Sequence, residues 1–261
     1  MIVLSDNFLM EKASAFLLLS IRISAFFLVS PLFSNTAVSL PIRIVLMAGL
    51  TFALMGSVTP PSIDIMSPTG VIVIVRELII GVSVGIIFQI LFSAVAMAGE
   101  HIALSMGLGF ASMIDPSNGT QSVVVAQFLN ILLILIFLVT EGHHVVLRQL
   151  LATYKVAPIG GGLDASLFMG IVQTATLVFS AALIISLPAI VLLFLVNVLV
   201  GFMTRVAQQM NIFSIGFPLT ILAGFMMIFV SLPTMGTAMV GLIQTASGVV
   251  RNLILETRAV P

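Results

Sequence analysis

Apolar residues run in long blocks at about 13–33, 42–58, 71–98, 123–140, 167–200 and 212–250, parted by short polar punctuation. Helices are the elements such blocks predict, because a lone strand leaves its backbone groups unsatisfied where water is absent. A helix needs about 20 residues to cross a bilayer, and these blocks are not six tidy spans. The second is short, while 71–98, 167–200 and 212–250 are too long for one straight crossing. Pro188 interrupts the fifth block, and Ser231-Leu232-Pro233 followed by Gly236 interrupts the sixth, so a hairpin or broken helix is expected at both. Thr59-Pro60-Pro61 to Ser67-Pro68 makes one stiff connection and Gly160-Gly161-Gly162 a pliant one. The expected fold is an all-α membrane protein, a multi-helix bundle with broken or hairpin helices, in which residues 1–261 form one helical domain with no soluble insertion and no strong internal repeat.

Composition removes the soluble alternative. The chain is 60% hydrophobic and only 7% charged, with a mean hydropathy of +1.31, whereas soluble domains carry about 25% charged residues. Zero net charge argues against nucleic acid and against a polybasic lipid anchor. The absence of cysteine excludes disulfides, thiol catalysis and cysteine-held metals. The start, Met1 to Lys12, lacks the basic opening and cleavage site of a secretory signal, so the first apolar block is expected to stay. Arg251 and Arg258 lean the C-terminus towards the cytoplasm.

Charges inside the apolar blocks are few enough to weigh singly. Arg22 is costly within a membrane helix and reads as snorkelling or as a contact to a neighbouring subunit, with a pore-lining charge as the sharper reading. Arg76-Glu77 are adjacent and face differently, which favours structural pairing with other helices over a proton relay. His143-His144 after Glu141-Gly142 lack the i, i+4 spacing of a helical metal site and read as a helix-end cluster. Glu100-His101 stay ambiguous. Gly81 and Gly85 form a small-xxx-small face that admits a close helix. No catalytic motif and no cofactor motif appears, so no enzyme activity and no cofactor are expected.

The stretch Ala98–Ser122 is organised differently. Gly107-Leu108-Gly109-Phe110, flanked by Met106 and Met113, sets bulky apolar side chains on pliant backbone, and Asp115-Pro116-Ser117-Asn118-Gly119 is a turn signal that serves as a hinge. Methionine is unbranched and deformable, and a loop with oily tips among apolar helices is suited to closing a hole.

Gly201 to Leu219 reads GFMTRVAQQMNIFSIGFPL, with Arg205, Gln208, Gln209 and Asn211 as a hydrogen-bonding island. It resembles the motif R-V-A-P-Q-M-N-I-F-x-x-G-F-P of the FliR family of flagellar and type III export proteins, with Gln208 where the family has proline. Arg22-Ile23 to Pro31-Leu32-Phe33, Leu40-Pro41-Ile42-Arg43, Gly99-Glu100, Met106-Gly107-Leu108 and Asp115-Pro116 extend the likeness over nearly the whole chain. The resemblance implies an export-gate subunit of the bacterial inner membrane and flagellar basal body, looking like fused FliP- and FliQ-like units. Its implied partners are FliP-like, FliQ-like and FlhB-like subunits, membrane lipid, and unfolded flagellar substrates. It also implies a plug at about Met106–Ser122, with Phe110 and Met113 as its tips. A small secondary transporter and a purely structural assembly subunit are the competing readings.

Overall fold

The structure, a computed structural model, describes residues 6–34, 38–58, 61, 63, 65–109, 123–161, 166–206 and 212–256. Among them are seven helices and no strand: α1 (Asp6–Val29), α2 (Leu40–Leu54), α3 (Pro68–Ser105), α4 (Val123–Val139), α5 (Gly142–Val156), α6 (Ser166–Val206) and α7 (Ile212–Glu256). The all-α membrane fold is therefore as the sequence requires. Lys12–Val29, Pro68–Ser105, Thr174–Met203 and Gly216–Asn252 are long and apolar enough to cross a membrane, and α4 with α5 makes a further candidate.

The prolines did not break the long helices. Pro188 lies inside the 41 residues of α6, and Pro218 and Pro233 inside the 45 of α7, each helix running through without a hairpin. A helical proline forfeits one backbone bond, but a hairpin in an apolar setting would expose several unpaired groups. Continuing the helix is the smaller loss. α3, with 38 residues, is likewise one element.

α5 is the helix that apolar blocks alone do not reveal. It follows a break at Thr140-Glu141, where Glu141 takes φ +55°. Val146, Leu150, Thr153 and Tyr154 are buried at helical spacing, while His144, Arg148 and Lys155 are exposed.

The chain divides into two compact units. The first holds Met1–Ile90, His143–Ala175 and Ala246–Pro261, and the second Leu91–Gly142 and Thr176–Thr245. In the first, α3 packs on α1 through its glycines: a Cβ on Gly81 would strike the Arg22 carbonyl, and one on Gly85 would sit 3.0 Å from Val29 Cβ. The helix admitted by this small-residue face is thus α1 of the same chain, not a neighbouring subunit. Phe26, Phe27 and Phe33 form an aromatic cluster beside it. In the second unit, Gly99 lets α3 and α4 touch, since a Cβ there would meet the backbone of Ala126. Phe92 and Phe137 pack edge to face above that contact at 6.1 Å.

Candidate functional site

Two sets of residues carry the polar chemistry, one in each unit. In the first unit Arg22 occupies the buried stripe of α1, among Leu18, Leu19, Ile23 and Phe26. Its Nε donates to Glu77 Oε2 at 2.7 Å, and both side chains are fully buried. Nη1 donates to Thr153 Oγ1 at 3.0 Å and Nη2 to the Ala157 carbonyl at 2.8 Å. The Thr153 hydroxyl, while accepting from Arg22, donates to the Leu150 carbonyl. The guanidinium carbon lies 4.1 Å from the Tyr154 ring centre, a cation–π placement, and the Tyr154 hydroxyl donates to the Leu19 carbonyl at 2.8 Å. Arg22 is therefore neither snorkelling nor pore-lining, and its partners come from its own chain. It ties α1 to α3 and α5.

Glu77 is the structural partner expected of that position. Arg76, next to it, is also buried, but makes a single side-chain bond, Nη2 to the Pro158 carbonyl at 3.2 Å. Arg76 Nε, Arg76 Nη1 and Glu77 Oε1 are buried with no hydrogen-bond partner among the described residues. Sequence reasoning missed Thr153 and Tyr154. Their signal was the chain's only tyrosine lying in phase with Val146 and Leu150 on one helical stripe.

In the second unit the end of α3 is closed by a Schellman motif. Gly107 has φ +84°; its N–H bonds the Leu104 carbonyl at 3.0 Å, and the Leu108 N–H bonds the Ala103 carbonyl at 3.0 Å. A left-handed residue at this position is the usual way to satisfy the last carbonyls of a helix. Gly107 thus acts here as a helix cap. Met106 is fully buried in its own unit. Its side chain fills the space a Cβ would take on Gly224 of α7, and its carbonyl accepts from Thr220 Oγ1 at 3.1 Å. The Ser105 carbonyl accepts from Asn197 Nδ2 of α6, also at 3.1 Å. Leu108 and Gly109 are half-buried, and a Cβ on Gly109 would meet Leu104 Cδ2 at 2.8 Å.

Of the remaining sequence-predicted residues, Glu100 is exposed on α3 and Arg205 is exposed near the end of α6, and neither enters the Arg22 network. Phe110, Met113, Asp115, Pro116, Gly119, Gln208, Gln209 and Asn211 lie outside the described residues. No group of three or more metal-ligating side chains occurs among the residues described.

The long apolar helices and the ion pair held wholly inside them define an integral membrane protein of several helices. Residues 13–246 match the family described as bacterial export proteins, family 1. The flagellar biosynthetic protein FliR of Pectobacterium carotovorum is 35% identical over 214 residues, 82% of each chain. That of Escherichia coli K12 is 33% identical over the same shares. That of Bacillus subtilis is 29% identical over 255 residues, 95% of this chain and 97% of its own. The chain belongs to the bacterial export proteins, family 1, as a flagellar export component of the FliR type.

Proposed function

We propose that this protein is an inner-membrane subunit of the flagellar export gate. It assembles there with FliP-like and FliQ-like subunits, with an FlhB-like subunit on the cytoplasmic side, and the segment from Met106 to Ser122 seals the conduit taken by unfolded flagellar proteins. The observation that carries this reading is the length of the apolar helices. α3, α6 and α7 have 38, 41 and 45 residues, or about 57, 62 and 68 Å of helix at 1.5 Å per residue. A hydrocarbon layer of about 30 Å accommodates only about 39 Å of straight helix, even at the roughly 40° tilt that is the observed extreme. The surplus apolar length needs protein to cover it. Phe179, Ile184, Phe194, Phe225, Phe229 and Val230 are exposed on α6 and α7 and offer large faces for that purpose.

Sealing is assigned to the segment with the least regular apolar pattern. Phe110 and Met113 are soft, bulky tips that exclude water and ions from a narrow opening. They also yield to a chain of no fixed sequence. Met106, Gly107 and the α3 cap form its rooted end, and Arg251 and Arg258 favour a cytoplasmic C-terminus.

The test is to express the chain with its three partner subunits, purify the complex, and delete Gly107–Met113. The expected result is an intact complex that leaks small ions into vesicles. Loss of the complex would favour a purely structural subunit, and solute uptake by the chain alone would favour a transporter.

A further inference from the structure

We infer that Thr220, Gly224 and Asn197 form a clamp that holds the end of α3 in one of two discrete arrangements, and that its closed arrangement keeps the gate shut. This rests on the export-gate reading above. Three contacts converge on Ser105, the last residue of α3, and on Met106, which follows it. Asn197 Nδ2 takes the Ser105 carbonyl, Thr220 Oγ1 takes the Met106 carbonyl, and Gly224 leaves the notch that the Met106 side chain fills. Ser105 and Met106 carry carbonyls that a helix end leaves without an intrahelical partner, so side chains of α6 and α7 complete a cap that the Schellman turn only begins.

The clamp has a built-in second state. The Thr220 hydroxyl has one hydrogen and two carbonyls in reach, Met106 at 3.1 Å and Phe217 of its own helix at 2.9 Å. When α3 lifts away, that hydrogen passes to Phe217 and Thr220 stays satisfied. The loss is confined to the Met106 carbonyl and to one flexible side chain leaving its notch. Gly216, Thr220 and Gly224 repeat every four residues along the buried stripe of α7, so a small residue lies one turn before each of the two α7 contacts. Packing between such surfaces selects discrete seats rather than a continuum.

Two variants and a rescue test this in the purified four-component complex. Gly224→Ala places a methyl group where Met106 Cγ, Sδ and Cε now lie, and Thr220→Val removes the hydroxyl at constant shape. Each is expected to speed amide hydrogen exchange at Gly107 and Leu108 by about five- to thirtyfold, the range of a lost hydrogen bond or displaced side chain, and to raise ion leak in step. Met106→Ala combined with Gly224→Ala restores room and is expected to return exchange and leak towards the parent values. A glycine needed merely for helix packing elsewhere would show no such rescue. Unchanged exchange in both variants overturns the clamp, as does faster exchange without leak in a complex whose Gly107–Met113 deletion does leak. If that deletion itself does not leak, the export-gate reading fails, separately from the clamp. Should Gly224→Ala fail to assemble, Thr220→Val decides alone.

Discussion

Arg22 is the residue around which the first unit is tied together. A charge with no exposed surface survives in an apolar helix only if its field is answered on every side. Here a carboxylate, a hydroxyl, a carbonyl and an aromatic face do so. Removing one member is therefore worse than removing the pair. Arg22→Ala leaves the Glu77 carboxylate buried and unanswered, and is expected to cost about 3–5 kcal/mol, read as a lower melting temperature in detergent and less protein in the membrane. Arg22→Met with Glu77→Met is expected to recover most of that loss, because paired apolar replacements are often neutral. Arg76→Ala should cost less than Arg22→Ala, since Arg76 makes one such bond and Arg22 three. If the double variant melts no higher than Arg22→Ala, the loss does not come from the stranded Glu77 charge.

At the scale of the helix, glycine marks where two backbones touch, and the touching partners differ in how far they can yield. A Cβ on Gly99 would run into the Ala126 backbone, while Gly241 has nothing within 4 Å. Gly99→Ala is expected to destabilise the isolated chain by about 1–3 kcal/mol through overpacking. Gly241→Ala should be neutral, or stabilising by up to about 1 kcal/mol through helix propensity. Equal melting temperatures for the two variants would contradict the α3–α4 contact. Such contacts also explain what was legible beforehand. Gly81 and Gly85 announced a close helix, because small residues four apart have few other uses in an apolar run; which helix it was had no sequence signal. α6 and α7 are apolar on their exposed faces as well as their buried ones, so hydrophobic periodicity could not phase them; small residues do, Ala182, Ser186 and Ala189 on α6 and Gly216, Thr220 and Gly224 on α7. α5 escaped notice because Arg148, Lys155 and His144 dilute its apolar character, and with it went Thr153 and Tyr154. Pro188, Pro218 and Pro233 stay inside their helices because the alternative in an apolar setting is a longer stretch of unpaired backbone.

For the whole molecule, the surplus of apolar helix and the oily segment after α3 are parts of one argument. On the proposed reading, neighbouring subunits cover α6 and α7, and Phe110 and Met113 fill the opening that those neighbours enclose. The resemblance was carried by the Arg205 to Pro218 motif and the Met106 to Pro116 segment, both of which border helix ends where polar residues cannot be explained by lipid. The most direct test places a photo-crosslinking residue at Phe110 in the assembled complex and stalls an export substrate partway through. A sealing role predicts crosslinks to the FliP-like subunits when the gate is idle and to the substrate when it is stalled. Crosslinks to lipid in both states, with none to substrate, would show that the segment points away from the conduit and would contradict the account.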